Sequence, residues 1–252
     1  MRRLAVLAIG IAVVVMVAGC GSSSDAAKHP ALIVSAASSL RNAFTDYGND
    51  FKPALVRLSF GGSDELAAQI RAGGRADVYA AANQKLPAAL FKEGKVEKPV
   101  DFTANRLVLA VPKDSSVNSI DDVAKPGVKL GIGSETVPVG IYTRKVLSGL
   151  PSIERNRILA NVKTAEPDVA GIVGKLTQGA VNAGFVYATD VAAAGDSLKA
   201  VQLPARLQPT VVYAAAIVKG TKHHDEAKAF LDGLVRGTGQ DDLKKAGFLA
   251  VP

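Results

Sequence analysis

Apolar and polar positions along the chain switch repeatedly between two periods. Ala31-Leu32-Ile33-Val34 is a short apolar run whose β-branched side chains suit a buried, pleated surface, and it predicts a strand. From Leu40 the period changes: Leu40, Ala43, Phe44, Tyr47 and Phe51 recur as on one face of a helix. Ser38 and Ser39 stand at that junction. The alternation continues with a strand over Leu55 to Phe60, a turn at Gly61-Gly62-Ser63, and a helix with Leu66 and Ile70 inward that ends at Gly73-Gly74. Val78 to Ala81 reads as a buried strand, and Asn83 as the cap of a helix through Phe91. Arg106 to Val111 is an apolar strand closed by Pro112.

Beyond that strand the alternation restarts. Ser119 caps a short helix, Val128 to Ile132 is a strand, and Val139 to Leu147 a helix. Val162 to Thr164 is a strand, Val169 to Leu176 a helix, and Gly184 to Tyr187 a strand. Thr210 to Val218 predicts a long strand, and Glu226 to Val235 a helix with Ala227, Phe230, Leu231 and Leu234 on one face. Alternating strands and helices argue for sheets covered by helices. Two runs of alternation separated by long strands predict two α/β lobes joined by a pair of crossings, with ligands in the crevice between them.

The N-terminus changes the picture of where such a protein works. Arg2 and Arg3 precede an apolar run from Leu4 to Val17, too short for the roughly 20 residues that span a bilayer, so residues 1–19 are expected to be a signal peptide. Val17-Ala18-Gly19-Cys20 resembles the lipobox of bacterial lipoproteins, which implies cleavage before Cys20 and acylation of its thiol. Cys20 is the one cysteine in the chain, so no intrachain disulfide and no zinc–thiolate site can form. Residues 20–30, which include Gly21-Ser22-Ser23-Ser24-Asp25, read as a flexible tether from a membrane surface. Loss of Arg2 and Arg3 leaves 28 basic residues against 23 acidic ones. This surplus favours anionic partners, but the basic residues are scattered and tryptophan is absent, which argues against nucleic acid.

Candidate chemistry gathers at the strand-to-helix junctions. Ser39 and Ser63 each open a helix, Val137-Pro138-Val139-Gly140 and Glu166-Pro167-Asp168-Val169 open two more, and Tyr187 ends a strand. Proline near a helix start costs little, because its missing N–H would have been unpaired there. If these ends converge they offer hydroxyls and backbone donors and no cation, a set suited to a fully deprotonated oxyanion. Each helix end contributes ~0.3–2 kcal/mol, so several must combine to offset desolvating a dianion. A plainer reading stays open for each: Ser39 and Ser63 as caps, Val139 and Val169 as core, Tyr187 as a strand-end residue. Enzymatic arrangements lack support. His29 lies in the tether and His223-His224 at a helix start, away from any nucleophile turn, and no G-x-S-x-G, Walker or H-E-x-x-H pattern occurs.

In order and spacing, Ser35-Ala36-Ala37-Ser38-Ser39-Leu40, Phe60-Gly61-Gly62-Ser63-Asp64-Glu65-Leu66, Ala76-Asp77-Val78-Tyr79, Val137-Pro138-Val139-Gly140-Ile141-Tyr142, Ala165-Glu166-Pro167-Asp168-Val169 and Gly184-Phe185-Val186-Tyr187 resemble the molybdate-binding proteins of bacterial ABC importers. The match runs on to the closing Lys244-Lys245-Ala246-Gly247-Phe248. The resemblance implies a two-lobed type II periplasmic-binding-protein fold, each lobe a mixed sheet flanked by helices. Lobe 1 would take residues 31–104 and 213–252, and lobe 2 residues 105–212. It further implies an extracytoplasmic, lipid-anchored monomer that uses no cofactor, binds molybdate or tungstate without direct protein–metal bonds, and delivers it to a membrane permease. The implied ligands are hydroxyls and amides of Ser39 and Ser63, backbone N–H groups of Val139 and Val169, and the phenol of Tyr187. Two departures bear on ligand choice: Asp64-Glu65 follow Ser63 and are expected to point away from a dianion, and Val139 replaces a smaller residue. Sulfate, phosphate and an unspecified small solute are the alternative ligands.

Overall fold

A computed structural model describes residues 30–252; the expected signal peptide, Cys20, His29 and nearly all of the expected tether lie outside the described residues. The described residues form two five-stranded mixed sheets. The first comprises β1 (Ala31–Ala37), β2 (Leu55–Gly61), β3 (Val78–Ala81), β4 (Val100–Asn105) and the late strand β10 (Val211–Ile217), in the order β2-β1-β3-β10-β4. The second comprises β5 (Leu107–Pro112), β6 (Leu130–Gly133), β7 (Val162–Glu166), β8 (Ala183–Tyr187) and β9 (Leu198–Val201), in the order β7-β6-β8-β5-β9. β1 runs parallel to β2 and β3, whereas β10 is antiparallel to both β3 and β4. The second sheet repeats that plan, with β6 parallel to β7 and β8, and β5 antiparallel to β8 and β9.

Sequence explains these placements. β3 and β10 are buried along their whole length, and their unbroken apolar runs suit strands covered on both faces. β2 is an edge strand, and its exposed positions alternate with half-buried ones. Helices α1 (Arg41–Asp50), α2 (Ser63–Arg71) and α3 (Lys85–Lys92) follow the first three strands. Asn83 does act as a cap, its Oδ1 accepting from Leu86 N at 3.0 Å. In the second sheet, α4 (Pro138–Ser148), α6 (Val169–Thr177) and α7 (Ala188–Ala194) follow β6, β7 and β8, and α5 (Ser152–Ala160) connects α4 to β7. The chain closes with α8 (His224–Arg236) and α9 (Thr238–Lys245) against the first sheet. Phe44, Tyr47, Phe51 and Phe230 form an aromatic cluster that fastens α1 to α8, with ring centroids 4.6–5.7 Å apart.

β4, α5, α7, β9 and α9 have no counterpart in the apolar pattern. α9 buries only Gly239 and Leu243, and α5 only Ile158, so neither shows a helical stripe. Among the described residues, no helix is long and apolar enough to cross a membrane.

Candidate oxyanion site between the lobes

Five of the predicted junctions meet. Ser39, Ser63, Val139, Val169 and Tyr187 line one narrow cavity, together with Ala37, Ser38, Gly61, Gly62, Ala82, Val137, Pro138 and Asp168. The lining contains no lysine, arginine or histidine. Around it stand the N-terminal ends of α2, α4, α6 and α7, and that of a 3-10 turn, Ser38–Leu40, that leads into α1. The first N–H groups of a helix have no partner within it, and the positive dipole end lies there too. Val139 is the second residue of α4 and Val169 the first of α6, so both amides fall in that unpaired set. Pro138 opens α4 without wasting a donor.

The plainer reading of the serines as caps does not describe them, since no side chain caps the Ser38 turn, α1 or α2. Ser63 Oγ instead accepts from Ala82 N at 3.1 Å, which leaves its own proton free for the cavity. Ser39 Oγ lies 2.9 Å from the hydroxyl of Tyr213. Tyr187 is 1% exposed, and its Oη is buried with no partner. Burial holds the Tyr187 phenol well above its ordinary value, so it stays protonated and can only donate to an anion. Val139 and Val169 are core residues as well as cavity walls. The extra bulk of Val139 is accommodated at Gly133, where a Cβ would come within 2.6 Å of Val139 Cγ1.

Three carboxylates stand near the site, each differently placed. Asp168 caps α6, its Oδ1 accepting from Gly171 N at 2.8 Å. Glu65 is exposed. Asp64 is not part of the lining: Thr136 of the second lobe donates to its Oδ2, and its Oδ1 is buried without a partner. At the same boundary Gly62 abuts Pro167, so the lobes touch beside the cavity. Sequence reasoning did not find this clasp, nor the roles of Tyr213, Asn105 and Ala82 behind the serines.

Asp190 reaches back from the first turn of α7 to accept from Tyr187 N at 2.9 Å. Burial, with a contribution from nearby Asp168, raises its carboxyl from 3.8 to about 7. The folded chain therefore holds a proton that the unfolded chain has already lost between pH 4 and pH 7, so this group's contribution to stability falls as pH rises through that window. Asp190→Asn keeps the acceptor for Tyr187 N and removes the titration. Its melting temperature relative to the unsubstituted protein is expected to rise from pH 4 to pH 7; a constant difference would show that Asp190 does not titrate there.

Known proteins share this architecture. The family model for bacterial extracellular solute-binding proteins matches residues 32–249. The molybdate-binding protein ModA of Mycobacterium tuberculosis is 30% identical over 260 residues, covering 96% of this chain and 97% of its own. The putative ABC transporter substrate-binding lipoprotein YvgL of Bacillus subtilis is 29% identical, covering 99% of each chain. Among solved structures, the substrate-binding domain of a putative molybdenum ABC transporter from Clostridium difficile superposes with a TM-score of 0.67 at 28% identity, covering 88% of this chain and 99% of that one.

Proposed function

The chain belongs to the bacterial extracellular solute-binding protein family, and on that premise we propose that it captures molybdate, and tungstate with it, for an ABC importer. It is a binding protein and not an enzyme. One observation carries the choice of ligand class: the cavity offers hydroxyls, a buried unpartnered phenol and several helix N-termini, and no cationic side chain. Such a set suits a ligand that accepts hydrogen bonds everywhere and donates none. Ser39, Ser63, Val139, Val169 and Tyr187 are its proposed ligands. Hydrogen bonds to a charged group contribute about 1.5–3 kcal/mol each net of desolvation, so five of them together favour holding a dianion in a closed site.

Hydrogen phosphate brings a proton that needs an acceptor, and the carboxylate in the lining, Asp168, commits its Oδ1 to Gly171 N as the cap of α6. Sulfate has the charge and shape of molybdate and differs in size. Titration calorimetry on the chain from Ser22 onward, comparing molybdate, tungstate, sulfate and phosphate, is expected to show tight binding of the first two and none of phosphate. Sulfate binding as tightly as molybdate would keep the site and change the ligand. Silence toward all four would remove the oxyanion assignment.

The lipid anchor at Cys20, the signal peptide over residues 1–19, the monomeric state and docking on a specific permease complete the proposal. The ten steps of chain from Cys20 to Pro30 would reach at most ~35 Å from the bilayer. Retention of the wild-type chain in membranes, and its release by Cys20→Ser, is the expected result; equal release of both would remove the anchor.

A further inference from the structure

Tyr213 lies on β10 in the first sheet, is fully buried, and has its hydroxyl against Ser39 Oγ. Its ring sits edge-on among Phe102, Tyr187 and Phe248, with centroids 5.5–6.3 Å away. On the far side Asn105 approaches: its Nδ2 donates to Thr189 Oγ1 at 2.9 Å and makes a longer contact of 3.5 Å to the Tyr213 oxygen. Asn105 Oδ1 accepts from Arg106 N at 2.8 Å, which fixes the amide so that Nδ2, and not Oδ1, faces the Tyr213 oxygen.

These contacts settle a direction that a Ser–Tyr pair leaves open. A buried phenol must place its one proton on an acceptor or forfeit a hydrogen bond. Burial keeps Tyr213 protonated. Among its neighbours Ser39 Oγ is the acceptor in reach, while Asn105 supplies a donor. Were Ser39 to donate instead, the Tyr213 proton would be stranded. The order is therefore Asn105 N–H to Tyr213, Tyr213 O–H to Ser39, and Ser39 O–H onward to the cavity. Ser63 reaches the same state by a different route, since Ala82 N donates to it.

We propose that Tyr213 is a positioning and selectivity residue: by donating to Ser39 it holds the Ser39 hydroxyl as a donor toward the ligand and so disfavours oxyanions that carry a proton. The proposal rests on the oxyanion reading above. It assigns selectivity to a residue that does not touch the ligand.

Tyr213→Phe keeps the packed ring and removes the donated proton. Molybdate affinity is expected to fall roughly tenfold, the worth of about one hydrogen bond, and the preference for molybdate over hydrogen phosphate at neutral pH to narrow. In a Ser39→Ala background the same substitution is expected to change affinity less than about twofold, because its effect runs through Ser39. Equal effects in both backgrounds, or unchanged affinity and preference in Tyr213→Phe, would reduce Tyr213 to packing and overturn the proposal. A ligand-free reading runs alongside. Ser39→Ala strands the phenolic proton and should lower the melting temperature, and adding Tyr213→Phe should raise it again; a further fall would contradict the assigned direction. Should Tyr213→Phe fail to fold, Asn105→Ala releases the far end of the chain and is expected to show the same dependence on Ser39. A wild-type protein silent toward all four oxyanions would refute the oxyanion reading itself, and the proposal with it.

Discussion

With Ser39 and Ser63 both replaced by alanine, molybdate affinity is expected to fall by about a hundredfold to ten-thousandfold. Each hydroxyl presents its proton to the cavity, and a hydrogen bond to a charged acceptor is worth about 1.5–3 kcal/mol, so two together remove about 3–6 kcal/mol. The two substitutions differ in their side effects. Ser63→Ala also leaves Ala82 N without its acceptor in a buried position, which costs about 1–3 kcal/mol of stability. The double variant should therefore melt several degrees lower while remaining folded at room temperature. Calorimetry and a melting curve on one sample separate the two losses. A folded double variant that binds within threefold of the wild type would refute the site.

Gly62→Ala is expected to weaken binding by a different route. Gly62 has φ −62° and ψ 133°, which alanine adopts without strain, so the first lobe should fold unchanged. Its added Cβ would lie 2.5 Å from the carbonyl oxygen of Pro167 in the other lobe, a contact with backbone that no rotamer change relieves. The lobes would have to stand apart, parting Thr136 from Asp64 and exposing the cavity to water. An overpacking penalty of about 1–3 kcal/mol predicts roughly fivefold to a hundredfold weaker binding with little change in melting temperature. Small-angle scattering gives the decisive comparison. The variant with saturating molybdate should retain a larger radius of gyration than the ligand-bound wild type, and identical radii would show that closure tolerates the methyl group.

How far the sequence exposes this site follows from what periodicity can see. The strand-to-helix junctions were legible because each side of a junction has its own period, and the change from two to 3.6 marks where N–H groups lose their partners. That is why the junctions at Ser39, Ser63, Val137-Pro138-Val139-Gly140, Glu166-Pro167-Asp168-Val169 and Tyr187 were nameable before any geometry, while the choice of Val139, Val169 and Tyr187 as expected ligands came from the family resemblance. Helices held by few buried groups were not. α9 offers Leu243 as its single large buried side chain, and α5 offers Ile158, so their stability comes from docking that leaves no stripe. The residues behind the ligands were hidden for another reason. Tyr213 is one tyrosine in an apolar run, and nothing local marks the hydroxyl that meets Ser39 174 residues earlier. Gly62 read as a turn glycine, whereas its lack of a Cβ matters because of Pro167, a contact only the folded chain makes.

The order of the strands also decides how the molecule would carry a mechanical load. β1, where the described chain begins, lies inside the first sheet, and the last residues return to that sheet, with Ala104 and Leu249 exchanging both backbone hydrogen bonds. Every strand of the second sheet falls between those two anchorages. A pull applied to the two ends would run through the first sheet alone, and the second would hang in a slack loop until the first gave way. Tension on the proposed N-terminal tether would thus leave the second lobe free to swing, and the cleft could open and shut while the chain is taut.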